Sequence, residues 1–357
     1  MKDFKILDCT LRDGSYVNRF QFGVHETRYV CAELEKCGIE YIEVGHGMGL
    51  GAYRLGGEYA AAATDEEYLG AAAEAVKKSA FGAFCIPDIA KLEDIDIASK
   101  CGMKLIRIGT NVDAVESSRP FVERAKKYGM TVCANYMKSY SVSPEDFVRK
   151  VHLSKSYGVD VIYLVDSAGG MLPEQVESYI KTVRDSVDMK IGFHGHNNLG
   201  LALANSLVAL DMGACFIDCS LQGLGRSGGN ASTEQFALIM SKMGNSHGLD
   251  IFRLLDLGFN TIQPLIQQTG LNPIDLVSGY AMFHSSYMPL VRKFSLKYDV
   301  DPRSLIIELC KIDQVNADPA LIEKIAAGLP KIKPDFIYGK YHLERYFVNE
   351  QGTKNVK

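Results

Sequence analysis

Short apolar runs alternate with amphipathic segments eight times in the first ~245 residues, the length of a (β/α)8 barrel. The apolar runs have the length of buried strands, and the longer segments between them have helical spacing. Glycines such as Gly38 follow the helical segments, and Pro144 and Pro173 stand at first-turn positions. The alternative, a doubly wound open sheet, usually has a glycine-rich phosphate turn after its first strand. This chain has Thr10-Leu-Arg-Asp-Gly14 there, so the sequence predicts an α/β fold, a (β/α)8 TIM barrel.

The eight units can be placed approximately along the chain. Strands are expected near residues 4–8, 39–44, 81–86, 105–109, 131–136, 161–165, 191–194 and 215–220. Helices are expected near residues 25–37, 65–78, 91–101, 116–128, 144–157, 173–187, 201–212 and 232–243. We therefore predict a TIM-barrel catalytic domain over residues 1–255. Residues 256–330 have a helical pattern that prolines interrupt, and we expect them to form a small helical domain. Residues 331–357 are expected to form a C-terminal tail.

Composition excludes some classes of function. The net charge is −4 and the isoelectric point is near 6.1, which gives no reason to expect nucleic acid or an anionic membrane as a partner. No apolar run has transmembrane length, and the first residues lack the apolar region of a signal peptide. The nine cysteines include no Cys-x-x-Cys pair. Reduced thiols in a cytoplasmic protein are the expected state.

Two histidines lie at the end of the predicted seventh strand, in His194-Gly-His-Asn-Asn198. Because side chains alternate along a strand, His194 and His196 face the same way, with Cα atoms about 7 Å apart. Such a pair can converge on one divalent ion, and it also fits two hydrogen-bonded structural histidines.

Polar residues follow many of the other strands as well. The carboxyl ends of barrel strands share one face, where catalysis takes place. The residues expected on that face are Arg12, Asp13, Glu43, His46, Arg107, Asn111, Asn135, Lys138, Asp166, Ser167, His194 and His196. Asp13 and the two histidines make a site for Mn²⁺, Mg²⁺, Co²⁺ or Zn²⁺ with positions left for a bidentate 2-oxo acid. Arg12 can add positive charge against the same oxygens.

Six segments in chain order carry a family resemblance. They are Thr10-Leu-Arg-Asp-Gly14, Ile42-Glu-Val44 with His46-Gly-Met-Gly49, Val165-Asp-Ser-Ala-Gly-Gly-Met171, His194-Gly-His-Asn-Asn198, Gly228-Gly-Asn-Ala-Ser-Thr-Glu234 and Gly279-Tyr-Ala-Met-Phe-His-Ser-Ser286. Together they resemble the DRE-TIM metallolyase superfamily, whose Asp, Arg and Glu are matched by Asp13, Arg12 and Glu43. Within the superfamily they are most similar to the 4-hydroxy-2-oxovalerate aldolases.

The resemblance implies a class II aldolase that cleaves or forms a 4-hydroxy-2-oxo acid from pyruvate and an aldehyde. It implies a divalent metal, with Mn²⁺ expected first, bound by the residues that match Asp13, His194 and His196. Arg12 would stabilise the pyruvate enolate. We assign Ser167, Glu43 and His46 to substrate binding together with Arg12. The alternative within the superfamily is a Claisen-type condensing enzyme or lyase that uses an acyl-CoA.

One departure from the aldolase pattern concerns the general base. The aldolases place a histidine two residues after the Asp-Gly pair and a tyrosine before the Ser-Ser pair of the helical segment. This chain has Tyr16 and His284 at those positions. Imidazole suits proton transfer near neutral pH far better than a phenol with a pKa of about 10. We therefore predict that His284 is the base and that Tyr16 orients the substrate hydroxyl; the alternative is that substrate and chemistry have both changed.

The resemblance also implies partners. Family aldolases usually work with an acylating aldehyde dehydrogenase that docks on the helical segment, and the segment present here permits such a partner. Lys138 and the extra tail fit a stand-alone biosynthetic enzyme with a bulkier aldehyde equally well. A homo- or hetero-oligomer is expected. Two further interpretations of the sequence compete with a metal-dependent enzyme. Lys138 could form a Schiff base with a carbonyl substrate. The barrel could also be a non-catalytic subunit, although the Asp13, His194 and His196 set argues against this.

Overall fold

The computed structural model describes residues 4–245, 248–266, 272–316 and 318–332, and Phe347. Eight strands and the first eight helices alternate along the chain. The strands are β1 Lys5–Asp8, β2 Tyr41–Glu43, β3 Ala80–Cys85, β4 Leu105–Asn111, β5 Thr131–Met137, β6 Val161–Asp166, β7 Lys190–Gly195 and β8 Phe216–Cys219. The helices between and after them are α1 Val24–Lys36, α2 Asp65–Ala75, α3 Leu92–Lys100, α4 Arg119–Lys127, α5 Pro144–Tyr157, α6 Pro173–Ser186, α7 Ala202–Asp211 and α8 Thr233–Lys242.

The strands form a closed parallel barrel in sequence order. Each strand pairs with the next one, and β1 also pairs with β8, with Leu7 opposite Asp218. The predicted TIM barrel is therefore confirmed. Closure brings the carboxyl ends of all eight strands to one rim, and the register of β6 with β7 places Val165 beside His194 at that rim.

Side-chain alternation divides each strand between the barrel interior and the layer under the helices. In β6, Tyr163 and Val165 belong to a small interior cluster, whereas Ile162 and Leu164 belong to the large cluster between strands and helices. In β7, Phe193 packs in that outer cluster. His194 therefore points into the barrel, because neighbouring residues of a strand face opposite sides.

Helix α2 ends at Ala75, three residues before the predicted end. Val76 is already extended, with a ψ of 145°. The carboxylate of Glu35 accepts hydrogen bonds from the backbone N–H groups of Lys77, Lys78 and Ser79. These bonds from α1 fix the following turn in a non-helical conformation. A carboxylate 43 residues earlier in the chain cannot be read from local helical periodicity, so the predicted helix was too long.

A second group of helices follows the barrel. It comprises α9 Ile251–Leu257, which continues as a π-helical turn over Gly258–Ile262, then α10 Pro273–Ala281, α11 Met288–Tyr298, α12 Pro302–Cys310 and α13 Pro319–Gly328. Buried apolar residues of α10 to α13, among them Phe294 and Leu305, form their own cluster. Leu257 and Ile266 instead pack in the barrel's outer cluster. The domain boundary at residue 255 remains a prediction, and the predicted tail lies outside the described residues except at 331–332 and Phe347.

Within the described residues, none of the helices combines the length and the apolar character that crossing a membrane would require.

Candidate metal centre and active site

Asp13, His194 and His196 come together inside the carboxyl-terminal rim of the barrel. A short 3-10 turn, Asp13–Tyr16, begins just after β1 and carries the aspartate, while β7 and the residue after it carry the histidines. One ligand atom from each of the three side chains lies within 4.8 Å of the others. The two imidazole rings are 5.0 Å apart and almost perpendicular. All three side chains are buried, and the donor set of one carboxylate and two imidazoles suits a divalent transition-metal ion.

The two imidazoles are oriented by hydrogen bonds at Nδ1. Nδ1 of His194 lies 2.9 Å from Asp218 Oδ2, and Nδ1 of His196 lies 3.2 Å from the carbonyl oxygen of Gly229. Both acceptors require a proton on Nδ1, which leaves Nε2 of each ring as the nitrogen available to a metal. Burial lowers the pKa of His196 to about 4, although the charge of Asp13 acts in the opposite direction. The ring is therefore neutral at neutral pH, which is the form that binds a metal.

The carboxylate of Asp13 is held on both oxygens. Oδ1 accepts a hydrogen bond from Arg12 Nη1 at 2.6 Å, and Oδ2 accepts from Asn230 Nδ2 at 2.8 Å and from the backbone N–H of Arg226 at 3.2 Å. Burial alone would raise the pKa of Asp13, but the positive charge of Arg12, the two histidines and the hydrogen bond from Asn230 together outweigh burial and hold this pKa below its ordinary value. The residues present therefore fit a divalent cation, with an ionised carboxylate and the Nε2 atoms of two imidazoles.

A buried chain of alternating charges positions Arg12. Oε2 of Glu43 accepts hydrogen bonds from Arg12 Nε at 2.7 Å and from Arg107 Nη1 at 2.9 Å. Arg107 Nη2 in turn lies 2.6 Å from Asp218 Oδ2, the oxygen that also contacts His194. Each charge has an opposite neighbour, which offsets the cost of burying it. Glu43 acts here as the support of Arg12, and its assignment to substrate binding remains a prediction.

Asp218 links this network to the metal ligands. We expect Asp218→Asn to weaken Mn²⁺ binding by about tenfold to hundredfold, because outer-shell partners of histidine ligands contribute that much to metal affinity. The variant keeps the shape of the side chain but removes the charge that faces Arg107 and the strong acceptor for His194. Titration of the metal-free protein with Mn²⁺ measures the change.

Asp211→Asn is the matched control, because Asp211 is an exposed residue at the end of α7 and does not belong to this network. Equal Mn²⁺ affinities for the two variants and the unchanged protein would show that Asp218 does not support the site.

His46 and Ser167, both predicted to bind substrate, make hydrogen bonds to the protein backbone. His46 Nδ1 accepts from the backbone N–H of Met48 at 3.1 Å, and Nε2 lies 3.0 Å from the carbonyl oxygen of Tyr59. Its ring also stacks on Phe20, with centroids 3.9 Å apart. Both nitrogens of His46 thus hold the loop after β2. Ser167 Oγ accepts from the backbone N–H of Lys138 at 2.9 Å, and its hydroxyl hydrogen can still be donated.

Tyr16 and His284 both lie beside Arg226. The Arg226 guanidinium is 5.1 Å from the centre of the Tyr16 ring, and its Nε donates to Ser285 Oγ at 2.8 Å, the residue after His284. His284 Nδ1 lies 2.7 Å from Ser286 Oγ. Burial lowers the pKa of His284 well below its ordinary value, and the positive charges of Arg226 and Lys138 add to this effect. The structure thus brings Tyr16 and His284 close to the same arginine.

Three residues of the site were not assigned from the sequence: Asp218, Arg226 and Asn230. Asp218 interrupts the apolar strand Phe216–Cys219, and a carboxylate inside a strand buried on both faces is a signal that could have been used. Arg226 and Asn230 belong to the glycine-rich loop after β8, which was recognised without roles for its members. Their contacts with Asp13 span more than 200 residues of sequence, and no local pattern predicts them.

Comparison with known proteins agrees with this geometry. A sequence profile described as HMGL-like matches residues 3–259. A 4-hydroxy-2-oxovalerate aldolase from Carboxydothermus hydrogenoformans is 35% identical over 333 residues, covering 92% of this chain and 98% of that protein.

Two solved structures are also similar. The N-terminal domain of a putative aldolase from Bacteroides vulgatus has a TM-score of 0.69 at 27% identity, over 82% of this chain and 98% of that one. The HMG-CoA lyase of Bacillus subtilis shares the fold, with a TM-score of 0.65 at 20% identity over 74% of this chain and 94% of that one. The profile match covers most of the chain, and the chain therefore belongs to the HMGL-like family, as its DRE-TIM motifs predicted.

Proposed function

We propose that this protein is a divalent-metal-dependent aldolase that cleaves or forms a 4-hydroxy-2-oxo acid from pyruvate and an aldehyde. The observation that carries the proposal is the convergence of Asp13, His194 and His196, with the Arg12 guanidinium bonded to the same aspartate. Relatives that are 35% identical over almost the whole chain are named 4-hydroxy-2-oxovalerate aldolases, which supports the same reaction class.

Asp13, His194 and His196 are the residues that would hold the metal, for which we propose Mn²⁺, with Mg²⁺, Co²⁺ and Zn²⁺ as alternatives. A divalent cation in this position supplies Lewis-acid chemistry, withdrawing electron density from the keto and carboxylate oxygens of a 2-oxo acid.

Arg12 stabilises the negative charge that develops on the keto oxygen as the carbon–carbon bond breaks. Its Nε is bound by Glu43 and its Nη1 by Asp13, so the guanidinium is fixed before the substrate arrives. Among the described residues, Nη2 makes no hydrogen bond, which leaves one donor of a rigid group for the substrate. A donor that needs no reorganisation stabilises developing charge more effectively than water does.

His284 takes the proton of the C4 hydroxyl. As the O–H bond breaks, C4 becomes the aldehyde carbon, the C3–C4 bond breaks, and its electron pair forms the enolate of pyruvate. Nδ1 of His284 accepts a hydrogen bond from the backbone N–H of Ser286 at 3.3 Å and lies 2.7 Å from the Ser286 hydroxyl. To act as the base through Nε2, the neutral ring has to take the tautomer with its proton on Nδ1, donated to Ser286 Oγ. The lowered pKa of His284 keeps the ring in this neutral form at neutral pH. Tyr16, on the other side of Arg226, orients the hydroxyl.

The test is pyruvate release from a panel of 4-hydroxy-2-oxo acids, measured by coupling to lactate dehydrogenase. We expect turnover with Mn²⁺ present and a loss of at least about hundredfold after treatment with EDTA, since the cation contributes several kcal/mol of charge stabilisation. Renewed addition of Mn²⁺ restores the rate if removal of the metal is the cause. Turnover that survives EDTA would contradict the metal-dependent mechanism, and acetyl-CoA consumption with a 2-oxo acid would favour the Claisen-type alternative.

We also propose that the helices α10 to α13 bind an acylating aldehyde dehydrogenase that receives the aldehyde, and that the protein forms a homo- or hetero-oligomer. The separate apolar cluster of these helices and their position next to His284 support a docking role.

Seven of the nine cysteines are buried, which fits the reducing cytoplasm as the location.

A further inference from the structure

Two cationic side chains, Arg226 and Lys138, flank His284 at the rim of the barrel. Arg226 comes from the loop after β8, where its own backbone N–H donates to the metal ligand Asp13. Its side chain runs between the Tyr16 ring and the hydroxyl of Ser285. Arg226 therefore connects the loop beside Asp13 with the helical segment that carries His284.

Lys138 approaches the same place from the end of β5. Its backbone has a φ of 59°, in the left-handed region that a lysine rarely adopts, and its N–H donates to Ser167 Oγ at 2.9 Å. The side chain is only 2% exposed. Its ammonium group donates to Tyr287 Oη and to the carbonyl oxygen of Val315, and it lies 4.7 Å from the centre of the Tyr287 ring.

Within the part of the chain that the structure describes, the acceptors of the Lys138 ammonium are neutral. Among the described residues, no carboxylate lies within ion-pair distance of its Nζ. A buried cation that is hydrogen-bonded only to neutral groups is costly, and burial lowers the pKa of Lys138 to about 8. Asp113 and Asp313 offset part of this effect from a greater distance. At neutral pH the amine is still mostly charged, and an anion beside it would stabilise that charge.

The position of Lys138 relative to the reaction indicates which part of the substrate it meets. The rings of His284 and Tyr287 are 6.0 Å apart, and Lys138 contacts Tyr287. Arg226, by contrast, contacts Asp13 through its backbone and the residue next to His284 through its side chain. If the 2-oxo acid end of the substrate lies at Asp13 and its C4 hydroxyl at His284, the groups beyond C4 come next to the two cations that flank His284.

Building on the proposed function, we propose that the aldehyde portion of the substrate carries an acidic group, a carboxylate or a phosphate ester, that Lys138 and Arg226 bind. The pair then determines specificity for an anionic aldehyde over a neutral one of the same size. The 2-oxo acid end is common to both kinds of substrate and does not discriminate between them.

The test uses condensation of pyruvate with paired aldehydes, followed as loss of pyruvate in the presence of Mn²⁺. Succinic semialdehyde is compared with butanal, which has the same number of carbons, and glyceraldehyde 3-phosphate with glyceraldehyde. We expect kcat/KM to favour the anionic member of at least one pair by about tenfold to hundredfold, the range for a charge-assisted hydrogen bond. The pair that shows the preference distinguishes carboxylate from phosphate. Equal values within both pairs would overturn the proposal, whereas turnover of any aldehyde would still support an aldolase.

Variants locate the preference. Lys138→Met keeps the apolar stem of the side chain but removes its charge. The quantity to compare is the ratio of kcat/KM for the preferred anionic aldehyde to kcat/KM for its neutral partner. We expect Lys138→Met to reduce this ratio by about tenfold or more, mainly through KM. A ratio within one variant is insensitive to the fraction of folded protein. Lys181→Met is the matched control, because Lys181 is exposed and pairs with Asp185 on α6. An unchanged ratio in Lys138→Met would overturn the assignment of Lys138.

Two other roles for Lys138 give different results. In the first, the lysine only attaches the helical segment to the barrel. Tyr287→Phe removes one hydrogen bond of Lys138 but leaves its charge, so in this case it reduces the ratio of the two kcat/KM values as much as Lys138→Met does. That outcome would overturn the proposal. If Lys138 forms a Schiff base with pyruvate, borohydride traps a covalent adduct on it, and this outcome would overturn the proposal as well.

Discussion

Asp13→Asn is expected to reduce turnover of a 4-hydroxy-2-oxo acid by about a thousandfold. The substitution removes a ligand charge from the candidate metal centre and the partner of Arg12 at the same time. The amide cannot offer an anionic oxygen to the cation, and the buried guanidinium keeps only Glu43 as an opposite charge. The measurement is pyruvate release at saturating Mn²⁺, together with a Mn²⁺ titration of the metal-free protein.

Asp185→Asn is a suitable control for this substitution, because Asp185 is an exposed partner of Lys181 on α6. The far-ultraviolet circular dichroism of Asp13→Asn has to match that of the unchanged protein if the loss is to be assigned to the site. A folded Asp13→Asn protein that binds Mn²⁺ with unchanged affinity and retains its turnover would contradict the metal centre itself.

The barrel could be predicted from the sequence because local rules determine it. Strands were short apolar runs, and helices ended at glycines such as Gly38 and Gly158, which adopt the positive φ that other residues avoid. The one helix end that was clearly misplaced, that of α2, is determined by a carboxylate from another helix, Glu35. Local periodicity thus predicts the order of elements, and long-range hydrogen bonds decide where some of them stop.

The metal centre was predictable for a related reason. Side-chain alternation brings His194 and His196 to the same side of one strand, and closure of the barrel brings the end of β1, with Asp13, to the same rim. The residues that orient these ligands were not predictable in the same way. Asp218 and Arg226 act through contacts that depend on the exact register of β7 with β8 and on the path of one loop.

His46 illustrates why strand-end position alone is insufficient. A histidine directly after β2 was expected to face the substrate, and instead it bonds two backbone groups of its own loop and stacks on Phe20. Whether it also contacts substrate is a prediction that binding experiments can address. Polarity and position predict that a residue lies at the rim, but the hydrogen bonds available in the folded loop decide which direction the ring faces.

His284→Ala is expected to reduce kcat by about a hundredfold to ten-thousandfold, the contribution of a positioned general base. Tyr16→Phe is expected to reduce kcat by about tenfold or less, because a phenol can orient the C4 hydroxyl but is a far poorer proton acceptor than imidazole. Because burial and two neighbouring cations lower the pKa of His284, the rate should fall with decreasing pH only well below pH 6.5, where the imidazole becomes protonated. The pH dependence of kcat/KM for both variants measures this difference.

His152→Ala is the matched control for the histidine substitution, since His152 is exposed on α5. Equal losses in His284→Ala and Tyr16→Phe, or no loss in either, would reject the exchange of roles between the two positions. An acidic limb of the pH profile that persists unchanged in His284→Ala would assign the proton transfer to another group. The two cations that keep His284 neutral are also those proposed to bind an anionic aldehyde, so a bound anion should raise the pKa of His284. In condensation His284 returns the proton to the new C4 oxygen, so the limb that reports it is the basic one. In the pH profile of kcat this limb is expected at higher pH with succinic semialdehyde than with butanal.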